Sequence, residues 1–390
     1  MIRSARGGLT LFFIISESMC ALYIILFNEL TSDYLGVENI LSIQAVILTY
    51  IALLALYFIY YKLWGTVESY ANYKVKIKDN IDLNIMFLCL TLLYLYYVLS
   101  TGAGVVGNEE TAELTFSQKI IFLPIILLKF NFLFFLYAAS KGNKNRLFYF
   151  NIALFIISEM IRGVSFTVLL FILLEYKKVI NYLKVKYILI FFPFFLAFVN
   201  VVYNIKYYVR LGDGYSYIDI YTTIIMLIGR LSILSNLSYL LSHYNDMVNY
   251  IGSISYQGVL TEFLEKLTPM PSIFGINQKV LELGKIIFSF SIGSFNSATA
   301  ISVLGIAILL PYQLLSIILI MIFAFIIIFT IVPRFTSSSN QSLVAYFFVL
   351  LTLYQGFWGL LANYLYALIV YSIFLILIQS FVKHIKFNHI

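Results

Sequence analysis

The sequence predicts an all-α polytopic membrane protein with about ten transmembrane helices, and three observations carry that prediction. Of its 390 residues, 62% are hydrophobic and 11% are charged, which is more apolar side chain than a soluble domain can bury. Apolar runs close to the ~20 residues needed to cross a bilayer as a helix recur along almost the whole chain. The basic residues gather in alternate loops. Together these exclude a soluble enzyme. The formal net charge of +7 does not point to nucleic acid, because membrane proteins collect Lys and Arg on cytoplasmic loops for topological reasons.

In chain order, the start "MIRSARGGLTLFFIISESMCALYIILF" has the basic opening of a signal peptide. Its apolar run is long, contains Glu17 and lacks a small-x-small cleavage site, so it reads as an uncleaved first span. Candidate spans follow the apolar runs at 9–27, 40–61, 83–100, 118–139, 147–161, 164–175, 187–204, 313–332, 342–357 and 360–382. The count is about ten, in a range of ten to twelve; 299–332 is long enough to break into two spans at Pro311, which would add one. Two spans there would put the basic tail "KHIKFNHI" outside, so one span preceded by a half-inserted segment is preferred.

With the N-terminus inside, the inner loops collect Arg3, Arg6, Lys62, Lys74, Lys76, Lys78, Lys141, Lys144, Arg146, Lys177, Lys178, Lys184, Lys186, Arg334, Lys383 and Lys386. Their only acidic company is Glu68, Asp79, Asp82 and Glu175. The acidic segments "NELTSDYLGVEN" and "GNEETAEL" fall on the other side, together with the long stretch 205–312. Both termini are therefore expected in the cytoplasm. Internal repeats and heptads are missing, so 1–390 reads as one membrane domain whose 205–312 loop, periplasmic in a bacterium, carries membrane-associated helices.

Nine basic residues depart from the inside rule, and the arginines Arg162, Arg210 and Arg230 matter most. A guanidinium is always charged, and its planar fork suits phosphate oxygens, so three of them at outer-leaflet depth would clamp a diphosphate. Gly163, Gly212 and Gly214 beside two of them would permit close backbone approach. The plainer reading is that each arginine reaches for headgroups or pairs with a nearby acid, as Arg162 can with Glu159 three residues back. Lys206 reads as a weaker member of the same set. Glu17 and Lys129 fall near mid-membrane, where an isolated charge costs at least about 2.5 kcal/mol, and the two can pair. His243 and Glu262 are candidate proton acceptors among several loop carboxylates. Tyr215 and Tyr217 in "YYVRLGDGYSY" and Asn296 in "FSIGSFNSATAISVLG" suit contact with sugar. Cys20 and Cys89 lie inside apolar runs with no CxxC or metal-ligand spacing. No phosphate loop, HExxH or GxSxG motif is present. No metal and no cofactor is expected.

The order of these features resembles the O-antigen and capsule repeat-unit polymerases (Wzy-type) of bacterial inner membranes. It runs from a short span ending in "MIRG", through an arginine after the next outward span, to a large outer loop containing "GR" and a small-residue segment "FNSATAISVLG" before the last spans. The resemblance implies a GT-C-like helical fold and a glycosyltransferase that moves a growing glycan from undecaprenyl diphosphate onto a lipid-linked repeat unit. Arg162, Arg210 and Arg230 would stabilise the leaving diphosphate without a metal. His243 or Glu262 would accept the hydroxyl proton, while Lys206, Glu159, Tyr215, Tyr217 and Asn296 would hold substrate. Membrane lipids and a chain-length regulator protein are the expected partners. An O-antigen ligase shares this architecture, and a lipid-linked oligosaccharide flippase is the reading from another class. A flippase would be expected to show repeated helix bundles with charges spread through its spans.

Overall fold

The computed structural model describes residues 4–71, 76–78, 81–101, 115–140, 144–162, 166–175, 193–194, 196–201, 203–204, 216–269, 271–276, 278–293, 295 and 298–387. Among them the secondary structure is helical apart from two isolated bridges, Glu29 with Glu38 and Ile77 with Phe335. Helix α1 (Ala5–Phe27) starts where the Ser4 side chain accepts from the Gly7 N–H, and α2 (Ile43–Tyr70) where Ser42 accepts from Ala45. Each cap is the hydroxyl residue just before the apolar run. Helix α3 (Asn84–Thr101) follows. Helices α4 (Phe116–Leu127) and α5 (Phe130–Ala138) then form a pair bent by 43°. Pro124 lies inside α4, and Lys129 at the break takes a left-handed φ of 47°.

Next come α6 (Arg146–Arg162) and α7 (Phe166–Leu174), with further helix at 196–201. The stretch 220–309 then folds into short helices: α8 (Ile220–Arg230), α9 (Leu234–Ser242), α10 (Tyr244–Ser253), α11 (Val259–Leu267), α12 (Leu283–Ile292) and α13 (Ser302–Leu309). Three long helices close the chain: α14 (Leu314–Ile331), α15 (Ser338–Gln355) and α16 (Trp358–Phe387).

Among the described residues five helices are long and apolar enough to cross a membrane, or up to seven if each bent pair, α4–α5 at 43° and α8–α9 at 78°, is one span. The protein is thus a helical, multi-pass membrane protein: the runs at 9–27, 40–61, 83–100, 313–332 and 360–382 each fall on one of the five helices, and 118–139 falls on the bent α4–α5 pair. The runs at 147–161 and 164–175 form helices of 17 and 9 residues. The stretch 299–332 forms the short α13 and the long α14, joined by a 3-10 turn that begins at Pro311. The bent α8–α9 pair falls in a stretch read from sequence as surface-lying or cavity-lining.

Two ends of the bundle are fixed by cross-links. At one, Arg6 pairs with Glu68 at 2.5 Å, Glu68 accepts from Ser342, and the Ile77 N–H bonds to the Arg334 carbonyl. The start of α1, the end of α2 and the start of α15 therefore share this basic end. At the other, the Tyr354 hydroxyl donates to the Arg230 carbonyl at 3.2 Å, which joins the end of α15 to the end of α8. Between the ends stands α15, whose residues from Gln341 to Tyr354 are all buried. It touches α1, α2, α5, α7, α13 and α16. By contrast α2 and α14 expose Leu48, Ile51, Ile59, Leu315, Ile322 and Ile326, the apolar rind expected where lipid replaces water. Elsewhere in the bundle, Gly305 on α13 lies so close to α9 that a Cβ there would stand 2.7 Å from Leu237.

Candidate functional site

The site is built around the break between α8 and α9. Helix α8 begins with Asp219 accepting from the Thr222 N–H at 2.6 Å and ends at Arg230. The chain then turns through 231–233 and starts α9. That turn is anchored deep in the bundle by Glu17, about 18 Å along α1 from Ala5 at 1.5 Å per residue. The buried Glu17 carboxylate accepts from the Ser232 hydroxyl (2.6 Å), the Ile233 N–H (3.1 Å), the Leu234 N–H (3.2 Å) and the Tyr57 hydroxyl (3.0 Å). Negative charge at a helix N-terminus meets unpaired N–H groups and the positive end of the dipole, so Glu17 caps α9 from another helix. Beside it Ser235 bonds Thr31 and Cys20, which holds the 28–42 loop against α9.

A cradle forms where that loop meets the break. The 3-10 turn Ser32–Tyr34 brings Asp33 to 4.0 Å from the Arg230 guanidinium. Burial pushes the Asp33 carboxyl up from its usual range, opposed by the Arg230 charge. Tyr34 stacks on Tyr239 with ring centroids 3.8 Å apart, and Tyr239 lies 4.4 Å from the His243 ring. Arg230 and His243 therefore flank one turn, the first through Asp33 and the second through the tyrosine stack. His243 Nδ1 is 3.0 Å from the Tyr239 carbonyl. A carbonyl only accepts, so in the tautomer with its proton on Nδ1 the ring donates to it, beside the Ser242 hydroxyl at 2.9 Å, and leaves Nε2 as the lone-pair nitrogen. Buried Asn236 donates to the Ala300 carbonyl, and its own Oδ1 has no partner among the described residues.

The other sequence candidates fall elsewhere. Arg162 takes the plainer of its two expected partners: its Nη1 lies 2.8 Å from Glu159, and both meet the Tyr94 hydroxyl of α3 at 2.5 Å. Glu159 is buried within this triad. Tyr217 is exposed and donates to Asn200. Arg210, Lys206, Tyr215 and Asn296 lie outside the described residues. Glu17 and Lys129 do not pair. Lys129 Nζ instead donates to Asn363 at 2.6 Å and to the Lys266 carbonyl, at the C-terminal turn of α11, where a cation suits the helix dipole. The reason is that broken helices offer each charge a closer partner than the other charge does.

Glu262 is buried on α11 and accepts from the Tyr256 hydroxyl (3.2 Å) and from the Leu283 N–H (3.4 Å) at the start of α12. Burial, and then the neighbouring Glu282, push its carboxyl up to about 8. Because the folded value exceeds the unfolded 4.5, the folded state holds the proton more tightly. Its contribution is full below about 4.5 and is lost as pH rises through about 8. Wild-type protein is expected to lose stability across that window, on the order of 1 kcal/mol per pH unit. Glu262→Gln should flatten the profile. Thermal unfolding from pH 5 to 8 checks this, and parallel slopes for the two proteins would contradict it.

Asp33, Tyr34, Asn236 and the capping role of Glu17 escaped the sequence reading, in which 28–42 was only an acidic loop. The one available signal was an acid in an apolar run with a polar "RLSILSN" break far downstream. Among the described residues no group of three His, Cys, Asp or Glu side chains is placed to hold a metal. Compared with family models, with curated proteins and with solved structures, the chain matches none.

Proposed function

We propose that this chain is a membrane glycosyltransferase of the O-antigen polymerase type. It has a GT-C-like helical frame in a bacterial inner membrane, with both termini cytoplasmic. Its substrates are oligosaccharide repeat units on undecaprenyl diphosphate, and a chain-length regulator is its expected protein partner. The observation that carries the reading is Arg230. Half of its side chain is exposed at the end opposite the basic loops, while its main chain is fixed by Tyr354 and by the Glu17-anchored turn. A preorganised guanidinium can meet charge that develops on a leaving diphosphate without rearranging. Asp33 sets an opposite charge 4.0 Å from the guanidinium, His243 Nε2 suits the acceptor's proton, and the half-buried Tyr239 offers a ring to sugar, backed by the buried Tyr34 and Asn236. Arg230 is the centre of this reading; Arg162 is held apart by Glu159 and Tyr94, and Arg210 and Lys206 lie outside the described residues.

The glycan profile of a deletion strain tests the class. Loss of a polymerase leaves glycan stalled at one repeat unit, because assembly and flipping continue. Loss of a ligase leaves long polymer on undecaprenyl diphosphate, and loss of a flippase traps single units on the cytoplasmic face. Normal long chains in a strain with no second polymerase would end the proposal.

A further inference from the structure

A second site lies at the basic end of the bundle, away from Arg230. A cleft of about 350 Å³ opens between the start of α1 and the last two turns of α2, lined by Arg6, Lys62, Thr66, Ser69 and Tyr70 with Gly65 between them. We propose that it seats the phosphate headgroup of an anionic phospholipid, with the acyl chains lying along α2.

Three observations support this occupant. The first is depth. At 1.5 Å per residue Lys62 stands about 29 Å along α2 from Ile43, close to the ~30 Å hydrocarbon thickness, so the turn from Gly65 to Tyr70 projects into the headgroup layer. The second is chemistry. Lys62 and Arg6 face the cleft, Arg6 with its Nη1 on Glu68, alongside the Tyr70 hydroxyl. The hydroxyls of Thr66 and Ser69 bond here to the Lys62 and Thr66 carbonyls and would turn outward to reach a phosphate oxygen. Glu68 does not line the cleft. It is held by Arg6 Nη1 at 2.5 Å and by Ser342, so its charge is already compensated. The third is continuity. One to two turns toward the membrane centre, Phe58, Ile59 and Leu63 are exposed on the same helix, giving acyl chains a surface directly below the cations. A free phosphate ion would use the first two features and leave the third without a role. A lipid uses all three. A cation this close to an anionic surface contributes about 1 kcal/mol, or roughly five-fold in affinity, for each Lys or Arg.

Full-length protein in nanodiscs of phosphatidylcholine, with or without phosphatidylglycerol, tests the assignment through its thermal midpoint and through the lipid retained on detergent extraction. Phosphatidylglycerol is expected to raise the wild-type midpoint and to be retained. Lys62→Gln should bind it about five-fold more weakly, and Lys62→Glu should lose the shift. Lys119→Gln, with an exposed lysine far from the cleft, should keep it. The assignment fails if wild-type protein shows no phosphatidylglycerol shift, if Lys62→Glu keeps the full shift, or if Lys119→Gln loses as much as Lys62→Gln. It fails equally if inorganic phosphate reproduces the shift in phosphatidylcholine discs, since the site would then take a soluble anion.

Discussion

Glu17→Leu is expected to cost the protein a large part of its stability. Leucine fits the space but accepts nothing, so the Ile233 N–H is left unpaired inside the bundle, while the Leu234 N–H keeps only its bond to the Ser232 hydroxyl. The Ser232 and Tyr57 hydroxyls can turn toward other acceptors, whereas a backbone N–H at a helix start cannot. One stranded backbone donor gives a loss of roughly 1–3 kcal/mol, to which the lost charge at the α9 N-terminus adds. Glu17→Gln keeps one acceptor oxygen and loses the charge that faces the α9 dipole, so it should fall between leucine and wild type. Thermal unfolding in detergent, followed by tryptophan fluorescence, reads all three. A Glu17→Leu protein that melts with the wild type would show that the break is held by something else.

The largest functional effect is expected at Arg230. If its guanidinium meets the leaving diphosphate, Arg230→Ala should lower glycan transfer by about 10²–10³-fold, the range for removing one preorganised donor. Arg230→Lys should recover little of it, because lysine keeps the charge and loses the planar fork. Arg162 provides the contrast. Arg162→Ala alone leaves Glu159 buried without its cation. Adding Glu159→Gln should therefore restore folded protein if the pair is structural, and restore transfer only if Arg162 touches no substrate. Transfer assayed in vesicles with lipid-linked repeat units, at matched protein levels, separates the two. Wild-type transfer by Arg230→Ala would remove the centre of the proposal.

What the sequence made legible follows from which interactions are local. Run length and loop charge identified a helical membrane chain, because burial in lipid and the positive-inside rule act on contiguous residues. The Arg162–Glu159 pair was visible as an i, i+3 spacing on one helix. What stayed hidden depends on contacts across the chain. Glu17 meets residues more than 200 positions away, and Lys129 reaches Lys266 and Asn363. Read as lone intramembrane charges, these two looked like partners for each other. Their actual partners are helix ends, which exist only once α8–α9 and α11 have formed. Asp33 was hidden for the same reason: it shows as part of an acidic loop until that loop folds back onto Arg230.

The fully enclosed helix α15 constrains how the protein can be made. A chain emerging from the ribosome delivers α1, α2, α5, α7 and α13 before residue 338 exists, yet all of them line the seat that α15 occupies. Until then that seat has to be filled by lipid, or closed by a looser arrangement of the earlier helices. Helix α15 also begins with Ser338, Ser339, Asn340, Gln341 and Ser342 at the basic end, which leaves a short apolar run to cross hydrocarbon. Its insertion is therefore favoured mainly by the neighbours already waiting for it. Assembly of this bundle ends from the inside, and a chain truncated before residue 338 would be a membrane-inserted protein without a centre.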